Sequence, residues 1–468
     1  MDSMAFDVIK RLDDFLTVQV HSSPELIVGV GKAAAAIDRR RAKAKAKKED
    51  SGPRKPHVRH VPRTELRPLR ITPWELLATF ARATTLARQG RGRGLAEHWQ
   101  GLKYCRAFAA DRHGSLRLTE EGKAPEQSYR GMQARELGRA FGLAVAERML
   151  SERYPDHLIS IIDADTVLLP GFARVKPVAT LGARARPDFL LEAWRPGEGS
   201  RVFVVTVNGN HQKVTAKTSA SSRTTYRQLD RGSERVERLH IGQGNGTPAL
   251  ITSTEFLAAA GVTVHVLAAG GDVELPIRPP SGTHSADAAV GRRRLLYVDS
   301  VADPTQRDNA RHNAFLIPDD ELPWFSRVLA RTHAAGQLSL AGGGGAVGQY
   351  LIEEQGSKYF SETTFAGTAS VQDAKADLAG QPYVGTDQVF RINGTRVEAF
   401  SGMAADLYGL LADGRVEEYR RQVYERRDDW PKSKDVDNWG ASSFRPDGTA
   451  LAIRVVPKRT SADDGLVG

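Results

Sequence analysis

Asp188 follows Pro187 at the head of an apolar run, Phe-Leu-Leu-Glu. A polar connection (Arg195 to Arg201) leads to a second run, Val-Phe-Val-Val-Thr-Val-Asn-Gly-Asn. Their Val, Leu and Phe content reads as a two-stranded hairpin with Asp188 at the start of one strand and Thr206 and Asn208 near the end of the next. Residues two apart on a strand share a face, so positions 206 and 208 project together beside Asp188. A carboxylate at the first and an ammonium at the second would make a magnesium site that activates water and stabilises charge on a phosphodiester in transition. The hydroxyl and the amide found here supply neither the second carboxylate nor the positive charge.

The elements that must hold these residues are legible on both sides. Met132 to Leu150 carries Leu137, Phe141, Val145 and Met149 on one stripe, with Gly131 and Pro155 outside its ends, and predicts a helix. Three extended runs follow, His157 to Leu168, Asp188 to Trp194 and Arg201 to Asn208. A second helix fits Arg223 to Leu239, and Pro248 to Thr252 and Val262 to Leu267 read as further strands.

This order of helix, three strands, helix and strand, with Pro187-Asp188 opening the second strand, resembles the restriction-endonuclease-like PD-(D/E)XK nuclease superfamily. The resemblance covers roughly residues 130 to 270 and rests on Glu136, Pro187-Asp188, the hairpin to Asn208-Gly209, and the helix bearing Tyr226, Gln228 and Arg231. It implies an α/β fold whose central mixed sheet is flanked by helices, with magnesium held by Asp188 and a second acid and the helical Glu136 completing the metal shell. The family's lysine, which assists the attacking water, falls at Asn208. Two explanations stay open. Either the site has migrated, with Glu192, Asp163 or Asp165 as the second ligand and Lys213 or Lys217 as the lysine, or the core has lost catalysis and kept its shape for binding. Glu192 shares the strand face of Asp188 by parity, and Asp163 and Asp165 would alternate onto one face of the neighbouring strand. His211, beside the altered motif, is a candidate phosphate donor or general base. Asp188 would also serve as a carboxylate capping the strand start, and Glu136 as an exposed helix charge.

No Gly-x-Ser-x-Gly elbow, His-Glu-x-x-His helix or paired cysteine ligands occur, which disfavours serine hydrolases and zinc enzymes. The single cysteine, Cys105, excludes an intramolecular disulfide and agrees with a reducing, cytoplasmic setting. No run approaches the roughly 18 apolar residues of a membrane span. The 468-residue chain has a net charge of +10, and its distribution matters more than its size. Residues 39 to 70 hold 13 Lys or Arg against three acids, which leaves 53 of each sign elsewhere. Arg39, Arg40, Arg41, Lys47 and Lys48, with Arg231 on the second helix, are therefore the candidate phosphate contacts. A solvated linker is the alternative use of the same charge.

The remaining organisation is a helical segment over 1–37, a basic proline-punctuated linker over 38–70, a helical region over 71–129 and the core over 130–270. A connecting region over 271–348 with a glycine hinge at Gly342 to Gly345 then leads to a smaller α+β domain over 349–460. That last part has a hairpin signal at Asn393-Gly394 and helices at Met403 to Leu411 and Val416 to Arg426. Tyrosines and arginines interleave there, a pattern that stacks bases in some proteins and at helical spacing builds a core. Three functions fit these residues. The first is a magnesium-dependent nuclease acting on DNA, with restriction or anti-phage defence implied by the family. The second is an inactive nucleic-acid-binding subunit, and the third a scaffold for an acidic protein partner.

Overall fold

The computed structural model describes residues 2–43, 58–84, 86, 98–123, 127–168, 186–212, 222–242, 246–257, 261–277, 298–302, 311–351, 372–432 and 438–456. The chain is a mixed α/β protein with a large curled mixed sheet flanked by helices and a separate antiparallel sheet. Its first part runs α1 (Asp2–Leu12), β1 (Leu16–His21), α2 (Pro24–Lys43), β2 (Val58–His60), β3 (Leu69–Ile71), α3 (Pro73–Thr84) and a small β4–β5 hairpin (Phe108–Ala110, Leu116–Leu118). The central part is α4 (Gln127–Arg153), β6 (Leu158–Asp163), β7 (Phe189–Trp194), β8 (Ser200–Gln212), α5 (Arg223–Val236), β9 (Leu239–Ile241), β10 (Ala249–Leu257), β11 (Gly261–Ala269) and β12 (Glu274–Leu275). Beyond it, β13 (Val298–Ala302) and β14 (Arg311–Ile317) form a small sheet with β9, and the long helix α6 (Leu322–Leu340) follows.

The large sheet has the order β3-β1-β11-β10-β8-β7-β6, with β2 added to β11 and β12 to β8. β6, β7 and β8 are an antiparallel meander. After the α5 crossover, β10 lies parallel to β8. Period-two alternation sends Phe189, Leu191, Phe203, Val205 and Val207 to the core under α4. Leu190, Val202, Val204 and Ile251 go to the core under α5 and α6. On the α4 face the helix lies directly on the sheet backbone. A Cβ on Gly138 would stand 2.7 Å from the Gly209 Cα, and one on Gly209 would stand 2.0 Å from the Ala134 carbonyl oxygen.

The second sheet, β15-β16-β17-β19-β18 (Ala374–Leu378, Gln381–Ile392, Thr395–Ala404, Thr449–Val455, Ala441–Phe444), carries α7 (Ala405–Ala412) and α8 (Val416–Glu425). Asn393 and Gly394, at φ 49° and 84°, make the turn that their sequence announces. At helical spacing Leu411, Tyr419 and Val423 are buried in a core there and Tyr408 is half-buried, with Tyr383 joining them from β16.

Four expectations need correction. The extended run over His157 to Leu168 stops at Asp163. The Asp163 carboxylate accepts hydrogen bonds from the Thr166 backbone N–H (2.9 Å) and hydroxyl, and so caps a helical turn over Ala164–Leu168. The 38–70 segment is not one linker, because α2 continues to Lys43 and β2 and β3 join the sheet. The N-terminal unit is not purely helical, since Leu16–His21 pairs parallel with β11. Gly342 to Gly345 is no hinge. Gly342 at φ 73° ends α6, with the Gly343 N–H bonded to the Leu338 carbonyl, and Gly342, Gly343 and Gly344 are buried. Among the described residues, no helix is long and apolar enough to cross a membrane.

Candidate functional site

Asp188 precedes β7, and its backbone N–H reaches the Val205 carbonyl. Beyond that point β8 has no β7 residue beside it, and the Asp188 carboxylate takes the strand's place by accepting the Val207 N–H at 2.8 Å. Its other oxygen accepts from Arg235 of α5 at 2.7 Å. The same guanidinium donates to Asn208 Oδ1 at 3.4 Å. A fixed organic cation therefore bridges the carboxylate and the amide at the position where the resemblance calls for magnesium. Both partners are largely covered, with side-chain exposures of 16% and 18%.

The rest of the α5 face is a connected polar layer. Gln228 donates to the Gly209 carbonyl (2.9 Å) and accepts from Asn210 (3.0 Å) and the Ser253 hydroxyl (2.7 Å). Glu255, His265 and His21 continue it, with His265 Nε2 3.0 Å from Glu255 and the two histidine Nδ1 atoms 3.1 Å apart. Burial pushes the Glu255 carboxyl up, but the hydrogen bond and charge of His265 and bonds from Ser222 leave it below its ordinary value. His21 is held low by burial and by His265.

The expected metal ligands do not converge. Thr206 is fully buried, and a Cβ on Gly232 of α5 would stand 2.7 Å from its hydroxyl oxygen, so no space for a longer side chain and a metal exists there. Glu192 shares the Asp188 face as parity predicts. It is nevertheless fully buried and spent on Arg420 of α8, at 3.1 and 3.3 Å. Glu136 belongs to α4 on the opposite side of the sheet, where Lys103 (2.7 Å) and the Tyr104 hydroxyl hold it. Burial, and then Glu136 itself, raises the Tyr104 phenol well above its ordinary value. Asp163 stands opposite Phe189 and so also faces α4, and its carboxyl is pushed up to about 6 by burial and then by Asp165. Asp165 lies on the helical turn and pairs with Arg186 at 2.8 Å, so the two aspartates do not alternate along one strand.

Position 211 is also altered from expectation. His211 packs against Phe256 with ring centroids 5.0 Å apart, and burial lowers it to about 4, so it is neutral at pH 7 and no general base for that range. Lys213, Lys217, Lys47 and Lys48 lie outside the described residues, and Arg41 ends within α2. Among the described residues, no group of three or more His, Cys, Asp or Glu could hold a metal ion. The donor set present does not fit magnesium at Asp188. Asp188, Glu192, Glu136 and Asp165 each already have a cation, Asp163 is spent on the Thr166 cap, and the two strand positions are neutral.

Sequence reasoning missed Arg235. The available signal was its position four residues beyond Arg231 and eight beyond Arg227, which places it on the same helical row, turning gradually toward the sheet. No family model, no characterised protein and no solved structure matches this chain.

Proposed function

We propose that this chain is a nucleic-acid-binding protein built on a restriction-endonuclease-like core in which an internal arginine has replaced the catalytic metal. The observation that carries the reading is the Arg235 guanidinium bridging Asp188 and Asn208. It supplies the positive charge Asp188 needs, but it brings neither a water to activate nor an open coordination position. Supporting the fold part of the reading is the connectivity of α4, the β6–β7–β8 meander, the α5 crossover and β10 parallel to β8. Supporting the ligand part is the surplus of positive charge over residues 39 to 70.

The test is incubation of the purified protein with linear and supercoiled DNA in magnesium or manganese, alongside binding by gel shift. The expected result is salt-sensitive binding, no cleavage, and a melting temperature that neither magnesium nor EDTA moves, because a ligand of the native state would raise it. Metal-dependent cleavage that disappears in Asp188→Ala would overturn the reading in favour of a working nuclease. Absence of any nucleic-acid binding would leave the protein-scaffold function instead.

A further inference from the structure

Arg223, Arg227, Arg231 and Arg235 recur every four residues along α5. Four residues advance a helix by about 6 Å and rotate it by about 40°, so this row winds slowly around the axis. Its exposure changes accordingly. Arg223 and Arg231 are exposed and Arg227 is half-buried, while Arg235 has turned in to Asp188. Helix α2 runs alongside, pressed so closely that the Tyr226 ring occupies the space a Cβ on Gly29 would need. Its last turns bring the exposed Arg40 to the same side. Arg227 is held below its ordinary value by Arg223 first, then by burial and by Arg40 and Arg231. Among the described residues, none of the four surface arginines has a carboxylate in ion-pair contact. Some other surface arginines do hold carboxylates, as Arg201 does Asp272 and Glu274, and Arg426 does Asp406. Their neighbourhood puts like charges together around Arg227, which a bound polyanion would relieve.

We infer that Arg40, Arg223, Arg227 and Arg231 form a phosphate-binding ridge along which a nucleic-acid backbone lies, ending at the Asp188–Arg235 pair. The ridge spans about 12 Å along α5 from Arg223 to Arg231, a length over which duplex DNA presents about seven charges at one per 1.7 Å, so supply of phosphates does not limit the contact. From α2 the chain passes directly into the lysine-rich stretch with Lys45, Lys47 and Lys48, which extends the positive charge in sequence. A backbone contact of this kind positions the ligand and carries no base preference.

The inference rests on the nucleic-acid reading above, and the experiment separates the two. Wild type and the Arg223→Gln/Arg227→Gln/Arg231→Gln variant are titrated by fluorescence anisotropy with a labelled DNA duplex across a sodium chloride series. Three lost phosphate contacts should lower the slope of log affinity against log salt by about 2.7, and weaken binding on the order of 100-fold near 0.15 M salt. The variant's melting temperature should hold or rise, because only like-charge repulsion has been removed. Unchanged affinity and slope in the variant would overturn the ridge while leaving nucleic-acid binding standing. A wild type that binds no DNA even at low salt would overturn both. Poly-glutamate held as tightly as DNA would overturn the assignment to nucleic acid in favour of an acidic protein.

Discussion

Replacing Arg420 with Met should cost the protein far more than a surface arginine would. Glu192 has no solvent exposure and the Arg420 side chain has 6%, with two nearly parallel contacts of 3.1 and 3.3 Å between them. The guanidinium also lies 3.7 Å above the Trp194 ring centroid. Removal of one partner from such a pair leaves an uncompensated charge where water does not reach, a loss of about 3–5 kcal/mol. For a folding unit of about 150–250 residues this lowers the melting temperature by roughly 6–20 °C. Glu192→Gln placed on top of Arg420→Met removes the stranded charge, so the double variant should recover part of the loss instead of adding to it. Thermal melts by circular dichroism of the wild type, both single variants and the double give the coupling. Magnesium should not rescue Arg420→Met, because among the described residues no group of three or more His, Cys, Asp or Glu could hold a metal ion. A loss under about 1 kcal/mol, no relief in the double variant, or a magnesium-dependent rise in melting temperature would refute the assignment of Glu192 to its buried pair with Arg420.

Asp163→Asn should stabilise the protein at neutral pH, because the folded carboxyl titrates at about 6, above its unfolded value of about 3.9. The fold thus prefers the protonated acid. Its penalty is absent below about pH 4, grows as pH rises to about 6 and stays constant above, and Asn keeps the helix cap. The expected gain is about 1–3 kcal/mol at pH 7, vanishing near pH 4, and urea melts at both pH values that show the variant weaker at pH 7 would contradict it. Gly209→Ala should lose about 3 kcal/mol or more, since its Cβ would meet the Ala134 carbonyl at 2.0 Å, whereas Gly31→Ala on open α2 surface should gain about 0.5–1 kcal/mol. Equal melting temperatures for these two variants would mean that α4 does not rest on the sheet backbone.

What the sequence disclosed followed from periodicity and local chemistry. The α4 stripe, the apolar runs of β7 and β8 and the Asn393-Gly394 turn are all written within short windows. Thr72 and Glu75, three residues apart in sequence, likewise form a reciprocal cap at the start of α3, with bonds of 3.0 and 2.9 Å. β1 escaped because its parallel partner lies far along the chain, and β2 and β3 because each is only three residues long. The basic stretch concealed a helix because the alanines at 33 to 36, ahead of its charges, carry α2 on to Lys43. At the site, Asp188 was legible from its motif. Arg235 was not, because an arginine on a polar helix face shows its inward turn only when the helix is docked. Glu192 passed as a free carboxylate because its counter-ion lies 228 residues away.

The parallel pairing of β1 with β11 sets a timetable for the making of this protein. His21 and His265 meet across it although 244 residues separate them. At a synthesis rate of about 5–20 residues per second, the first strand waits roughly 12–50 s for its neighbour to be made. Until then β1 has β3 beside it and a single bridge from Thr17 to Ser115, and the rest of its other edge stays open to whatever strand it encounters. Yield of soluble protein should therefore depend on what protects those first residues during translation, and an independently folding partner fused ahead of them would not shorten the delay, whereas a rearranged chain that begins near β10 would.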